Sequence, residues 1–132
     1  MIKKLNPKHL ERLLNNKCDV KLYQEGLSEE GEPLTSLNLE NQRCRFVEKT
    51  KIIITADGQK VELVGKVILL GDIAPNIKKI SGGEVSNIIT MINGKEVVNE
   101  SKYKVYQASR PRNPDGSVHH TTLELMWYEN NL

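Results

Sequence analysis

Residues 87–128 read NIITMINGKEVVNESKYKVYQASRPRNPDGSVHHTTLELMWY, and this stretch decides the fold. Asn93-Gly94 lies between Asn87–Ile92 and Lys95–Val98, and Asn-Gly favours a type I′ turn because both central residues need positive φ. A hairpin is therefore expected. Pro111, Pro114, Asp115 and Gly116 separate Tyr103–Ser109 from Val118–Tyr128. Proline removes a ladder donor and glycine supplies positive φ, so the chain turns back there too. The segment reads as a terminal antiparallel meander. No catalytic set sits inside it, which points to a structural or binding module and not to an enzyme.

Upstream, Cys18–Glu25 alternates as a strand, with Cys18, Val20 and Leu22 on one side and Asp19, Lys21 and Tyr23 on the other. Leu37–Val47 reads as a second strand whose phase breaks at Asn41-Gln42, and a bulge there restores it. Thr50–Ala56 and Lys60–Leu70 flank Asp57-Gly58 and are rich in β-branched residues, which predicts a long hairpin with a polar tip beyond the body. Gly71–Gly83 reads as a connector that touches the core only through Ile77 and Ile80, with Gly82-Gly83 as a turn. Gly26–Pro33 is an acidic loop without apolar period. Asn6 caps a short helix from Pro7 to Leu14, with Leu10, Leu13 and Leu14 on one face. The sum is a mainly β chain: a small antiparallel barrel or sandwich of about six or seven strands, with a short N-terminal helix.

At 132 residues the chain is the size of one domain with one core, a helical segment over 1–16 and a barrel over 17–128. Lys plus Arg number 19 and Asp plus Glu 17, a net charge of +2 that is too small to argue for nucleic-acid or membrane binding. Any charge-driven contact must be local. Met1-Ile2-Lys3-Lys4-Leu5-Asn6 runs into polar sequence and is not a secretory signal. Val67–Leu70 falls far short of the roughly 20 apolar residues of a membrane helix, so the chain reads as soluble with no membrane partner.

Cys18 and Cys44 lack Cys-x-x-Cys spacing and read as buried packing thiols. His119-His120 on a strand would point to opposite faces, one near the core edge and one in solvent, and His9 lies in the distant helix. No metal site follows. There is no Gly-x-Ser-x-Gly elbow and no His-Glu-x-x-His, and Gly82-Gly83 lacks the context of a phosphate loop, so neither catalysis nor a cofactor is expected. Arg110 and Arg112 form a small basic tip, with Lys102 and Lys104 nearby. Tyr103 and Trp127 read as core residues.

Leu39-Glu40-Asn41-Gln42-Arg43-Cys44-Arg45-Phe46, the Gly71-Asp72-Ile73 turn after an apolar strand, and Tyr103-Lys104-Val105-Tyr106-Gln107-Ala108 followed by a Gly-containing loop and His119-His120-Thr121-Thr122-Leu123-Glu124-Leu125 resemble the head-closure, or stopper, proteins of the siphophage neck, often labelled minor capsid proteins. The resemblance spans Cys18–Met126. It implies a small β-barrel that assembles as a homo-oligomeric ring between portal or adaptor proteins and the tail terminator or tail tube proteins. An internal loop or hairpin of that ring helps close the channel over packaged DNA. It implies no enzyme, a place in the virion neck, and assembly in the bacterial host cytoplasm. The best match to the closing element is the Thr50–Leu70 hairpin, with Lys49, Lys51, Asp57, Gly58, Gln59, Lys60 and Glu62 as candidate residues. Two features depart from the family: a distinct Asn6–Leu14 helix and an acidic Gly26–Pro33 loop.

Ring assembly also has a motive in charge. Glu29, Glu30 and Glu32 of one copy can face Arg110 and Arg112, or Lys78 and Lys79, of the next across a heterologous contact. The competing expectation is a small β-barrel nucleic-acid-binding or adaptor module, since small barrels also bind oligonucleotides on their strand faces.

Overall fold

The computed structural model describes residues 13–27, 33–75, 77 and 80–128, and for 24–27 and 33–36 it describes the backbone. Seven strands run in chain order: β1 (Asn16–Leu27), β2 (Pro33–Ile54), β3 (Lys60–Leu70), β4 (Ile80–Ile92), β5 (Lys95–Asn99), β6 (Tyr103–Ser109) and β7 (His120–Trp127). They hydrogen-bond in the order β1-β2-β3-β7-β6-β4, and β4 returns to pair with β1. Every pairing is antiparallel, so six strands close into a barrel and β5 hangs on β4 as a seventh. Closure removes the free edges of an open sheet.

Alternation fills the interior. Cys18, Val20 and Leu22 of β1, Cys44 of β2, Val67 and Leu69 of β3, Val85 and Ile88 of β4, Tyr103 and Val105 of β6, and Leu123 and Leu125 of β7 are buried in one cluster. Ala74 and Ile77 from the β3–β4 connector join it and stop one mouth of the barrel. Burying such aliphatic side chains contributes about 1.5–3 kcal/mol each, which makes this cluster the main source of stability.

Asn41 adopts φ 53° and the β1–β2 register slips between Cys18 and Val20, so the bulge expected at Asn41-Gln42 is present. Asp19 explains how β1 tolerates it. Its carboxylate accepts from Asn41 N at 3.0 Å on one side and from Asn87 Nδ2 at 2.7 Å on the other, which ties together the two left-handed asparagines flanking the strand. Asn87, at φ 52°, bends β4. Residues before the bend, Gly83–Val85, pair with β6; those after it, Ile88–Ile92, pair with β5.

That bend corrects the expected meander. The Asn93-Gly94 hairpin forms, with both residues at positive φ, but β6 pairs with β4 and β7 and not with β5. Gly82-Gly83 is likewise no turn: both lie inside β4. A Cβ on Gly83 would stand 2.1 Å from the Lys21 carbonyl oxygen, so glycine is what lets β1 and β4 approach closely. Leu37–Val47 and Thr50–Ala56 merge into the single 22-residue β2, because nothing between them breaks a strand and a register shift between Glu48 and Lys51 absorbs the irregularity.

The expected helix falls mainly on residues 1–12, outside those described. Leu13 and Leu14, placed in its last turn, are not helical, and the strand begins at Asn16. Among the described residues there is no helix, and so none long and apolar enough to cross a membrane.

Candidate functional site

The topology sorts the chain's features to two ends of the barrel. At one end β1 passes to β2, β3 to β4 and β6 to β7. At the other stand the start of β1, the β4–β5 hairpin, the end of β7 and the far half of β2 with the start of β3.

β3 pairs with β7 only from Gly65 to Leu70, and β2 pairs with β1 only up to Cys44. Past those points β2 and β3 continue together from Lys51↔Leu63 to Ile54↔Lys60 as a two-stranded ribbon. The tip is locally built: Gly58 sits at φ 82°, Gly58 N donates to Thr55 O at 2.9 Å, and Thr55 N donates to Gln59 O at 2.9 Å. The Thr55 hydroxyl donates to the Asp57 carboxylate, which holds Asp57 below the usual carboxylate range. Lys49, Lys51, Asp57, Gly58, Gln59, Lys60 and Glu62 are all exposed, so the expected hairpin exists and carries its polar residues outward. It carries apolar ones as well. Ile52 is 65% exposed and Ile54 70%, opposite Glu62 and Lys60 on the same face.

At the ribbon's root Val47, Lys49, Lys51, Leu63, Gly65, Lys66 and Glu124 line a groove of about 340 Å³. Gly65 lets its walls meet, since a Cβ there would lie 2.6 Å from Val47 O. Lys66 and Glu124 were not foreseen as site residues. They belong to barrel strands whose facing is set by the β3–β7 register, which short-range periodicity does not give.

The other end is stapled shut. Arg110 Nη1 lies 3.4 Å from Asp72 Oδ2 and donates to Ala74 O at 3.2 Å, while Nη2 donates to Ile77 O at 2.7 Å. Arg110 is therefore spent on holding the connector that plugs the mouth and does not form a free tip. Arg112 is exposed and donates to Gly116 O at 2.8 Å. Thr121 adds a second staple, donating to Gly71 O at 2.8 Å and accepting from Ile73 N at 3.4 Å. Glu29, Glu30, Glu32, Lys78 and Lys79 lie outside the described residues.

His119 and His120 do not part to opposite faces. His119 precedes β7, both are half-buried, and their Nδ1 atoms are 2.8 Å apart. Burial, His119 and Lys66 together lower the His120 pKa, in that order of effect. Cys18 and Cys44 are buried free thiols. A hydrogen bond with Cys44, then burial, pushes the Cys18 thiol up and keeps it protonated. Among the described residues no three His, Cys, Asp or Glu side chains gather in a way that could hold a metal. Tyr103 is in the core as expected, but Trp127 is 51% exposed and stacks on it with ring centroids 5.3 Å apart. Trp127 ends β7 opposite Tyr103 of β6, so its ring covers that core residue on the solvent side.

Comparison with protein families, curated proteins and solved structures finds no match to this chain.

Proposed function

We propose that this chain is a structural subunit of a phage head–tail connector, a head-closure protein. It stands in a ring of like barrels in the virion neck, between portal or adaptor proteins and tail terminator or tail tube proteins. The β2–β3 ribbon is its closing element over packaged DNA, and no reaction is involved. The observation that carries the reading is the contrast between the two ends of the barrel. One is pinned by Arg110 and Thr121 and filled by Ala74 and Ile77, whereas the other sends out a ribbon that no third strand supports. A two-stranded hairpin is marginal by itself in water, so a ribbon of this kind exchanges partners readily. A gate needs that property: a rigid frame with one element free to change its contacts.

The test uses the purified chain and DNA-filled, tailless heads from the strain that encodes it. The chain is expected to co-sediment with the heads and to reduce DNA loss. A shortened form, with residues 52–62 replaced by Asn-Gly between the paired Lys51 and Leu63, is expected to bind heads without retaining DNA. A chain that never joins heads, or a shortened form that seals them equally well, rejects the proposal.

One observation favours a second reading, a nucleic-acid-binding module. Lys49, Lys51 and Lys66 converge on the groove at the ribbon's root, and among the described residues none has an ion-pair partner. Tight binding of a single-stranded oligonucleotide, with a salt slope that falls by about one for each lysine replaced by glutamine, supports that reading over the first.

A further inference from the structure

The ribbon exposes an apolar knob, and the same end of the barrel holds an apolar groove on a different side. The knob is Ile52 and Ile54, flanked on their own face by the cross-strand residues Glu62 and Lys60. The groove lies where β1 begins beside the β4–β5 hairpin. It measures about 170 Å³ and is lined by the apolar Leu14, Ile89 and Met91, by the paired cations Lys17 and Arg43 of β1 and β2, and by Glu96 of β5. Met91 is 50% exposed there. An apolar cavity of about 150 Å³ holds a benzene-sized group, so the groove has room for one branched aliphatic side chain.

Knob and groove do not meet within one chain, as the exposure of Ile52, Ile54 and Met91 shows. Around the barrel β1 separates β2 from β4, and β7 and β6 separate β3 from β4. We infer that the occupant of the groove is the β2–β3 ribbon of a second copy of this chain. Charge favours one orientation: with Ile54 seated against Met91 and Ile52 resting beside it towards Ile89, Lys60 of the ribbon comes to Glu96 and Glu62 comes to the side of Lys17 and Arg43. Each side thus offers apolar residues flanked by charges of both signs. Because the two patches differ, the contact is heterologous: each copy gives its ribbon to one neighbour and receives another's, and such a contact closes into a ring when the rotation permits. This inference rests on the ring reading and names the surface that builds the ring.

The test is sedimentation of the full chain over a range of concentrations, for the parent, the knob variant I52D/I54D and the groove variant M91D. These positions are exposed, and the melting of each variant checks that it is folded. The parent is expected to self-associate, and each variant alone to do so at least tenfold more weakly. An equimolar mixture of the two variants retains one intact knob and one intact groove, so it is expected to stop at a dimer. K60E is expected to weaken association, and adding E96K to restore it. A knob variant that assembles like the parent, a mixture no more associated than its parts, or a parent monomeric at every concentration overturns the inference. The first two outcomes leave the ring reading standing on the head-binding experiment, which is read independently.

Discussion

Replacing Gly83 by alanine tests the closure of the barrel where β1 meets β4. The added Cβ would lie 2.1 Å from Lys21 O and 3.1 Å from both Leu22 Cα and Leu22 Cδ2. Two of these atoms are backbone, so a rotamer change cannot relieve the contact. To regain ordinary spacing the strands must part by more than about 1 Å, which takes nearby ladder bonds out of hydrogen-bonding range. Overpacking of this kind costs about 1–3 kcal/mol, and two weakened ladder bonds add about 1 kcal/mol each, for a total of roughly 3–5 kcal/mol. For a chain of this size each kcal/mol lowers Tm by roughly 3–5 °C, so G83A is expected to melt about 10–20 °C below the parent. Circular-dichroism melts and urea titrations measure it. Lys104→Ala, at an exposed position paired with Glu84, is the control and is expected to change stability by less than about 0.5 kcal/mol. A G83A protein that melts within about 3 °C of the parent refutes the closed seam.

Arg110→Met leaves the Ala74 and Ile77 carbonyls without their donor and Asp72 without its cation, and is expected to cost roughly 2–4 kcal/mol in urea, with Arg110→Lys recovering part of it. Asn16 is buried, accepts from Phe46 N at 2.9 Å and donates to Thr90 Oγ1 at 2.7 Å; Asn16→Ala is expected to cost about 1–3 kcal/mol by the same assay. His120 has a folded-state pKa below its unfolded value, so the unfolded chain binds more protons and stability falls as pH drops below about 6.5. Denaturant midpoints from pH 8 to pH 5 are expected to show that slope, reduced in His120→Gln. Cys18 and Cys44 are expected to resist thiol reagents until the protein unfolds, since both are buried; rapid labelling of the native chain contradicts their placement.

Local signals in the sequence were legible where one residue type had one backbone use. Asn93-Gly94 makes its hairpin, Asp57-Gly58 makes its tip, and Asn41 marks its bulge, because each supplies positive φ at a turn or a slip. Gly82-Gly83 reads as a turn in the sequence, and only the position of Lys21 on the neighbouring strand shows that Gly83 serves close approach instead. Arg110 looked like a basic tip because its partners, Asp72, Ala74 and Ile77, lie more than thirty residues away in sequence. Trp127 reads as a core residue in the sequence, and it keeps the inward phase of Thr121, Leu123 and Leu125, but as the last residue of β7 it is left half in water. Of the candidate site, the ribbon was foreseen. The groove beside the β4–β5 hairpin was not, because it combines the start of β1 and Arg43 of β2 with β4 and β5, a juxtaposition made by barrel closure.

In the proposed connector ring, the barrel is the frame and the β2–β3 ribbon is the working element. An electron cryomicroscopy reconstruction of the chain bound to DNA-filled heads tests this most directly. A ring of barrel-sized densities is expected at the portal vertex, with the ribbons bridging neighbours on the side of the channel. A bare vertex, or barrels whose ribbons point away from both neighbour and channel, contradicts it.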